Sequence, residues 1–318
     1  MEPPLSWLLS EDQPSTRYLA LTRLLGKSEK DEEVVAARSS LTNRGWAAEI
    51  LARQSAKGTW EDTNGLYTPK YLSTNWMLLV LSDLGLKKDD PRISKACELW
   101  INKFSKKDGG FGADGASRSH LCVVGNTARA LVKFGYVGHP SAKRAFEWMT
   151  ENAAEKGGWS CFGSGRNLDS WEPMSAFAVY PREKWTRGMK QVVEKGAEFY
   201  LEREMHRQGG HYEPWYRTHY PVHYYYDLLV GLEFMTALGY GGDRRMGHAV
   251  DWLKERRRPD GRWNLDGVHP DVEGGMREWY DSHPGNRPTP FALEKVGEPS
   301  RMVTLRAMEV MQRLGAQS

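Results

Sequence analysis

The sequence predicts an all-α fold, an array of repeated helix hairpins in a single domain that spans residues 1–318, which could form an open superhelix or a closed ring. The first observation is a turn in which glycine precedes an aromatic residue or histidine, and this turn recurs five times. Its marker residues are Trp60, Phe111, Trp159, His211 and Trp263. The spacings between them, 51, 48, 52 and 52 residues, define one period near 50. Such regular recurrence indicates a repeat architecture in which each unit packs against its neighbours.

A second signal keeps the same period but is shifted along the chain. The strings LGLKKDDPRISKACELW, FGYVGHPSAKRAFEWM and LGYGGDRRMGHAVDWL begin at Leu84, Phe134 and Leu238. Apolar residues between the two signals follow helical spacing, as Ala128 and Leu131 do before Phe134. Each period therefore holds two helices, and strand signals are scarce. The predicted helices lie near 14–26, 33–54, 70–85, 90–104, 126–135, 142–151, 168–180, 187–204, 221–239, 242–257 and 300–315.

The glycine-aromatic turns carry two further predictions. Because each turn reverses the chain, Gly110, Gly158 and Gly210 are expected to adopt backbone conformations that are costly for other residues. The tryptophans of these turns are expected to be buried between neighbouring hairpins, and they are Trp60, Trp159 and Trp263. If the tryptophans are buried, the turns contribute to the core as well as to the chain path.

Composition excludes several classes of function. Hydrophobic residues make up 40% of the chain, enough for a sizeable core. The net charge of +3 gives no electrostatic case for binding nucleic acid or an anionic membrane. Only three cysteines are present, which favours a reducing compartment over a disulfide scaffold. With no apolar run of transmembrane length and no secretory signal at the N-terminus, we expect a cytoplasmic protein without an integral membrane segment.

The period near 50, with Gly-Gly-Trp at the turn, resembles the repeat of squalene cyclases and protein prenyltransferases. Strings along nearly the whole chain carry the likeness, among them YTPKYLSTNWMLLVLSDLG, CVVGNTARALVKFGY, YPVHYYYDLLVGLEFMTALGY and GEPSRMVTLRAMEVMQRLG. The chain resembles the proteins called prenyltransferase/squalene oxidase repeat-containing, of the terpenoid cyclase and protein prenyltransferase superfamily. The resemblance implies an α/α toroid of five to six hairpins, closed where helices 14–26 and 300–315 meet. It also implies a central cavity that binds an isoprenoid or a similar apolar small molecule.

In such a ring the first helix of each pair faces inward, so the residues after each glycine-aromatic turn surround the mouth of the cavity. Helix N-termini gathered there also favour an anionic group. The substrate-binding candidates at these positions are Lys70, Tyr71, Trp76, His120, Asn126, Asp169, Trp171, His219, Tyr224 and Arg301. Lys70 and Arg301 are the candidates for an anionic head group, and the aromatic residues would shape the apolar part.

The strongest catalytic candidate is the string THYPVHYYYDLL. His223 and Asp227 are four residues apart, so they share a face if this stretch is an inner helix. Asp227 is then the first choice of general acid, with His223 beside it and Glu172 as the second choice. Two alternatives stay open: Asp227 is a structural ion-pair partner, and Asp169 with Glu172 forms a helix capping box.

The predicted function is that of a terpene cyclase-like protein and candidate proton-initiated cyclase or isomerase. The Asp-x-Asp-Asp acid motif of class II terpene cyclases is absent, and the pair Asp89-Asp90 is typical of a helix cap. This departure leaves the family's usual acid without a counterpart in the chain. The alternatives are a non-catalytic lipid-binding or protein-interaction toroid and a prenyltransferase β-like subunit.

The main interpretation assigns no cofactor and no metal ligand, with zinc as the alternative. Protein prenyltransferase β subunits bind zinc through an Asp, a Cys and a His on inner helices. The residues that would supply comparable ligands here are His120, Cys122, Cys161, His219 and His223. Against zinc, the chain has neither a paired-cysteine motif nor the Asp-x-Cys pattern of those subunits, and scattered Cys and His side chains more often pack or contact solvent.

Overall fold

The computed structural model describes residues 3–61, 65–161, 168, 170–206, 212–223, 225–268, 281–282 and 291–315. Helices dominate these residues, which contain no strand and only three isolated β-bridges. The helices are α1 (Pro3–Leu8), α2 (Pro14–Leu19, continued by a π-helix over Ala20–Leu24), α3 (Glu32–Ser40), α4 (Gly45–Ala52), α5 (Thr74–Asp83), α6 (Pro91–Phe104), α7 (Leu121–Phe134), α8 (Pro140–Glu151), α9 (Glu172–Val179), α10 (Arg187–Leu201), α11 (Leu228–Ala237), α12 (Gly247–Glu255) and α13 (Arg301–Gly315).

The helices form a closed double ring, as the family resemblance implies. In the described part of the chain the inner ring runs through α2, α5, α7, α9, α11 and α13, with α4 joining α2 to α5. Each outer helix α6, α8, α10 and α12 packs against the inner helix that precedes it in the pair. Sequence explains the two layers: all ten residues of α5 are buried, whereas α6 buries a single apolar face. No described helix is long and apolar enough to cross a membrane.

The ring closes where α13 packs against α1, α2 and the π-helix, which confirms the predicted meeting of the first and last helices. Arg301 begins α13, donates to the Trp7 carbonyl at 2.9 Å and pairs with Asp12 at 2.8 Å. Further along the same last helix, Glu309 of α13 forms an ion pair at 3.4 Å with Arg23 of the π-helix. Arg301 therefore fastens the two ends of the ring together instead of facing the central cavity.

The three turn tryptophans are buried, as predicted. Each indole nitrogen donates to a carbonyl ten residues earlier, at the end of the preceding outer-layer helix. The pairs are Trp60 with Ile50 at 2.7 Å, Trp159 with Met149 at 2.9 Å and Trp263 with Leu253 at 2.8 Å. The indole thus occupies the core and donates a hydrogen bond to a carbonyl in the last turn of the preceding helix, where few intrahelical donors remain.

The glycine prediction is correct at one turn and wrong at another. Gly158 has a φ of +73°, the left-handed region, and an added Cβ would lie 3.0 Å from the Phe199 ring. Gly110 does not adopt a positive φ, and its neighbour Gly109 does so instead, at +96°. What restricts Gly110 is packing, because an added Cβ would lie 2.6 Å from Ser119 Oγ. Gly210 lies outside the described residues.

Several predicted helix boundaries differ from the structure. The predicted helix 33–54 is two helices, broken before Gly45, whose φ is +74° and whose added Cβ would meet Gln13 at 2.5 Å. The inner helix α5 begins at Thr74, so Lys70 and Tyr71 lie in the preceding loop. The largest difference is at 221–239, where α11 begins only at Leu228.

Candidate functional site in the ring centre

A non-helical stretch, which we call the crossing segment (residues 218–223 and 225–227), passes across the centre of the ring. Side chains of the inner helices hold its carbonyls: Arg306 donates to His219 O at 3.1 Å, and Arg129 to Val222 O at 3.3 Å. Asn126 donates to His223 O at 2.6 Å. These bonds replace the internal ones that a helix would make, which explains why the predicted helix does not form here.

The crossing segment brings together several predicted site residues. His223 is buried, stacks on Tyr71 with ring centroids 4.8 Å apart, and meets the edge of Trp76 at 5.1 Å. With Asn126 bonded to its carbonyl, four candidates from three parts of the chain form one cluster. His223 reaches this place on an extended segment and not on the predicted helical face.

Asp227 pairs with His219 and not with His223, which corrects the predicted arrangement. Asp227 Oδ2 accepts from His219 Nδ1 at 2.6 Å and from the His219 backbone N–H at 3.1 Å. Its other oxygen caps α11 by accepting from Val230 N at 2.7 Å. Asp227 is fully buried and accepts three hydrogen bonds, so its carboxylate is well placed to hold the His219 ring. Within the described residues, His219 Nε2 has no hydrogen-bond partner.

Glu172 and Trp171 lie at the start of α9, one layer deeper in the ring. Glu172 is buried against α7 at Gly125, where an added Cβ would lie 2.5 Å from Glu172 Cβ. The Trp171 ring stacks under the Arg129 guanidinium at 5.3 Å. Lys70 is half-buried in the loop before α5. Asp169 and Tyr224, two other predicted residues, lie outside the described residues.

Next to Arg129 and Trp171, the inner helices line a central cavity of about 350 Å³. One wall is apolar and comes from α9, α11 and α13, with Ala178, Val179, Phe234, Ala237, Met302 and Leu305. Eight charged residues line most of the rest, beside Ser175, Tyr220 and Val222, and they are Arg23, Asp83, Arg129, Lys133, Glu233, Arg306, Glu309 and Arg313. Five basic against three acidic side chains leave an excess of positive charge inside the ring.

Most of the cavity charges are paired with one another. Lys133 meets Asp83 at 2.6 Å, and Arg306 meets Glu233 at 2.5 Å. Burial opposes ionisation of Asp83, yet the Lys133 ammonium and the Arg129 guanidinium lower the pKa of its carboxyl overall. Asp83 therefore stays ionised and balances Lys133, which leaves Arg129 as the unmatched cation.

Arg129 is the exception in this network. It is buried, and no described carboxylate forms an ion pair with it. The groups that it contacts are neutral: Ser175 Oγ at 3.5 Å, Val222 O at 3.3 Å and the Trp171 ring. Its Nε has no hydrogen-bond partner within the described residues. Sequence reasoning missed Arg129, although a charged residue facing inward on the otherwise apolar stretch CVVGNTARALV was an available signal.

Tyr220 adds a polar group to the same cavity. Its hydroxyl is buried and, in the part of the chain that the structure describes, has no hydrogen-bond partner. Burial raises the pKa of Tyr220 far above its ordinary value, so the hydroxyl keeps its proton and is available as a donor.

A separate cluster lies at the rim, at the N-terminal end of α7. His120 Nδ1 lies 3.3 Å from Cys122 Sγ and 3.5 Å from Cys161 Sγ. Hydrogen bonds with Cys122 and His120 lower the pKa of the Cys161 thiol, while the bond with Cys161 raises the pKa of Cys122. The other two zinc candidates, His219 and His223, belong to the crossing segment and not to this cluster.

Comparison with known proteins identifies the fold. Neither a family model nor a curated protein sequence matches the chain. A variant of the type II terpene cyclase MstE from Scytonema, solved with its substrate geranylgeranyl dihydroxybenzoate, is 16% identical, with 97% of this chain and 88% of that chain covered and a TM-score of 0.51. The apo form of that enzyme (15%; 97% and 89%; TM-score 0.49) and a protein from Actinoplanes (15%; 95% and 90%; 0.49) are also similar. The chain has the α/α toroid fold of type II terpene cyclases.

Proposed function

We propose that the protein is terpene cyclase-like and binds an isoprenoid or similar chain with an anionic head group in the central cavity. Arg129 is the observation that carries this proposal. A buried guanidinium without a counter-ion is costly, and an anionic ligand group would remove that cost. The planar fork of arginine suits carboxylate and phosphate oxygens in particular.

The rest of the cavity fits the same ligand. Its volume is within the range of small-molecule sites, and its apolar wall on α9, α11 and α13 offers contact to a hydrocarbon chain. Tyr220 adds a hydroxyl donor for a head-group oxygen. The substrate bound to the MstE variant, geranylgeranyl dihydroxybenzoate, combines an isoprenoid tail with a polar head, and we extend that class of ligand to this chain.

We propose proton-initiated isomerisation or cyclisation as the reaction, with Glu172 as the acid. Glu172 does not itself line the cavity, so the isoprenoid chain would have to extend past Arg129 and Trp171 to the start of α9. Glu172 adds its proton to a double bond, and the carbocation later returns a proton to the carboxylate, so no co-reactant is needed. The rings of Trp171, Trp76 and Tyr71 in the neighbouring layers would stabilise the cation. Asp227, the first choice from sequence, accepts three hydrogen bonds, so in this proposal it positions His219 and leaves the proton transfer to Glu172.

The binding proposal predicts a charge-selective loss in Arg129→Met. Wild-type protein should bind farnesyl phosphate more tightly than farnesol. The variant should bind farnesyl phosphate roughly 10–100-fold more weakly, because a hydrogen-bonded charge pair contributes about 1.5–3 kcal/mol. Farnesol binding should change little. Calorimetric titration of both ligands measures the difference.

Arg38→Met is the matched control, because Arg38 lies at the surface and pairs with Asp89. It should bind both probes as the wild type does. Equal affinity of wild type and Arg129→Met for farnesyl phosphate would show that Arg129 does not hold an anionic head group. Failure of the wild type to bind either probe would remove the isoprenoid class.

The reaction proposal predicts that solvent hydrogen enters the product. In D₂O the wild type should incorporate deuterium into farnesyl phosphate, since the acid exchanges its proton with water between turnovers. Glu172→Gln keeps the shape of the side chain, and we expect it to bind the probe while incorporation falls about 100-fold or more, as expected for loss of a general acid. Mass spectrometry follows the label. Binding without any incorporation by the wild type would make the protein a non-catalytic binder.

A further inference from the structure

We infer that His120, Cys122 and Cys161 form a binding site for a soft divalent metal ion, and that zinc is the ion it takes. This site lies at the rim of the ring and is separate from the cavity, so it goes beyond the proposed function. Two sulfurs and an imidazole nitrogen are donors that zinc prefers.

The distances between the donor atoms fit a common central ion. In a tetrahedral site with Zn–S bonds of about 2.3 Å and Zn–N bonds of about 2.0 Å, a nitrogen and a sulfur ligand lie about 3.5 Å apart. The two observed nitrogen–sulfur distances are 3.3 and 3.5 Å. All three donor atoms lie within 4.8 Å of one another, which includes the sulfur–sulfur edge.

One hydrogen bond from His120 does not account for the contacts that both sulfurs make with its ring nitrogen. Both sulfurs contact the same atom, His120 Nδ1, which carries either one proton or one lone pair and so makes one good hydrogen bond. A metal ion bound by all three side chains places each sulfur at a similar distance from the nitrogen. The near-equal distances are therefore the edges of one coordination sphere.

The fold holds the three donors on two adjacent hairpins. His120 is the N-cap residue of α7, with its N–H bonded to Phe111 O at 2.9 Å, and Cys122 lies in the first turn of that helix. Cys161 follows the buried Trp159 by two residues, and its N–H donates to Ser170 Oγ at 2.9 Å. Because both backbones are fixed by the repeat, the donors are preorganised for a ligand.

The donor set also indicates the kind of site. Three protein ligands are typical of zinc ions that keep a fourth position for water or a substrate atom, whereas structural sites use four. His120 is exposed and both cysteines are partly exposed, so no described residue closes the fourth position. We expect an exchangeable water there, which distinguishes this site from a closed structural one.

The test uses the full chain, stripped with a chelator under reducing conditions and refilled with Zn²⁺ alone. Wild type should retain about one zinc per chain after gel filtration. Cys122→Ser and Cys161→Ser should each weaken zinc binding by at least about 100-fold, more than the loss of an outer-shell partner costs. Cys97→Ala is the matched control, because Cys97 is buried in α6 away from the cluster and its loss should leave zinc binding unchanged.

Cobalt absorption of the wild-type protein is a second test, and it does not depend on whether the variants fold. Co²⁺ added to wild type should produce the thiolate charge-transfer absorption and the visible bands of a tetrahedral site. Their absence, or zinc retention in both serine variants, would overturn the assignment. A chain mass lower by two hydrogens in reducing buffer, with Cys122 joined to Cys161, would also overturn it and show a disulfide instead. None of these results depends on ligand binding in the central cavity.

Discussion

Replacing Trp159 with alanine is expected to lower the free energy of unfolding by about 3–5 kcal/mol. The Trp159 side chain connects three helices: its indole N–H bonds to Met149 O on α8, its ring stacks near Phe177 of α9, and it lies against Gly196 of α10. Truncation would leave a cavity that these helices cannot fill without shifting. Chemical denaturation followed by circular dichroism measures the loss.

Trp159→Phe is the matched control for the size of the ring. The second turn of the repeat carries Phe111 in the corresponding place, buried to the same degree, so a phenyl ring is compatible with the turn. We expect this variant to lose about 1 kcal/mol for the hydrogen bond and a smaller amount for the missing volume. If Trp159→Ala unfolds at the same denaturant concentration as the parent, the turn tryptophans are not core elements of the repeat.

Asp227→Asn is expected to cost about 3 kcal/mol of stability. The carboxylate accepts from His219 Nδ1, His219 N and Val230 N. The amide of asparagine has one acceptor oxygen, so at least one buried N–H would face its NH₂ group and lose its partner. The capping bond to α11 or the bond that orients His219 would be lost, and denaturant unfolding would report the loss.

Asp89→Asn serves as the control, because Asp89 is exposed and its ion pair with Arg38 is at the surface. A change within about 0.5 kcal/mol is expected there. An Asp227→Asn variant as stable as the parent would contradict the structural role. A stable variant that also lost deuterium incorporation would return Asp227 to the position of acid.

The architecture of the ring was predictable because the signal that specifies it is local and repeated. Each glycine-aromatic turn is a short stretch whose chemistry depends on its own hairpin, as the contact from Trp60 to Ile50 shows. Because the signal occurs five times, the prediction does not depend on any single copy. The turn at His211, for example, lies outside the described residues. The errors in helix placement are at boundaries such as the break before Gly45, where Gln13, 32 residues earlier in the chain, contacts the glycine.

The candidate site was predictable in part. Tyr71, Trp76, Asn126 and His223 lie together in the structure, and each of them follows a glycine-aromatic turn. The partner of Asp227 was not predictable from helical spacing, because the crossing segment is not helical. Its carbonyls instead accept hydrogen bonds from Arg129 and Arg306. Those donors lie on α7 and α13, and the sequence of the crossing segment does not indicate them.

The grouping of His120 and Cys122 with Cys161 shows a similar limit. The two parts of the cluster are 39 residues apart along the chain, from Cys122 to Cys161, and no motif of standard metal-ligand spacing connects them. Their proximity follows from the stacking of one hairpin on the next. The repeat period does not indicate it either, because Cys122 follows its turn marker Phe111 by 11 residues whereas Cys161 follows Trp159 by two.

The indole hydrogen bonds of the turn tryptophans join residues that are ten apart along the chain. The ion pair Arg23–Glu309, which helps to close the ring, joins residues that are 286 apart. Loop-closure entropy rises with the length of chain that must be ordered, so short contacts form early and distant ones late. We therefore expect each hairpin to gain structure by itself during folding, with the docking of α13 on α2 as the final step. Until that step is complete, the buried arginines and acids of the cavity remain open to water.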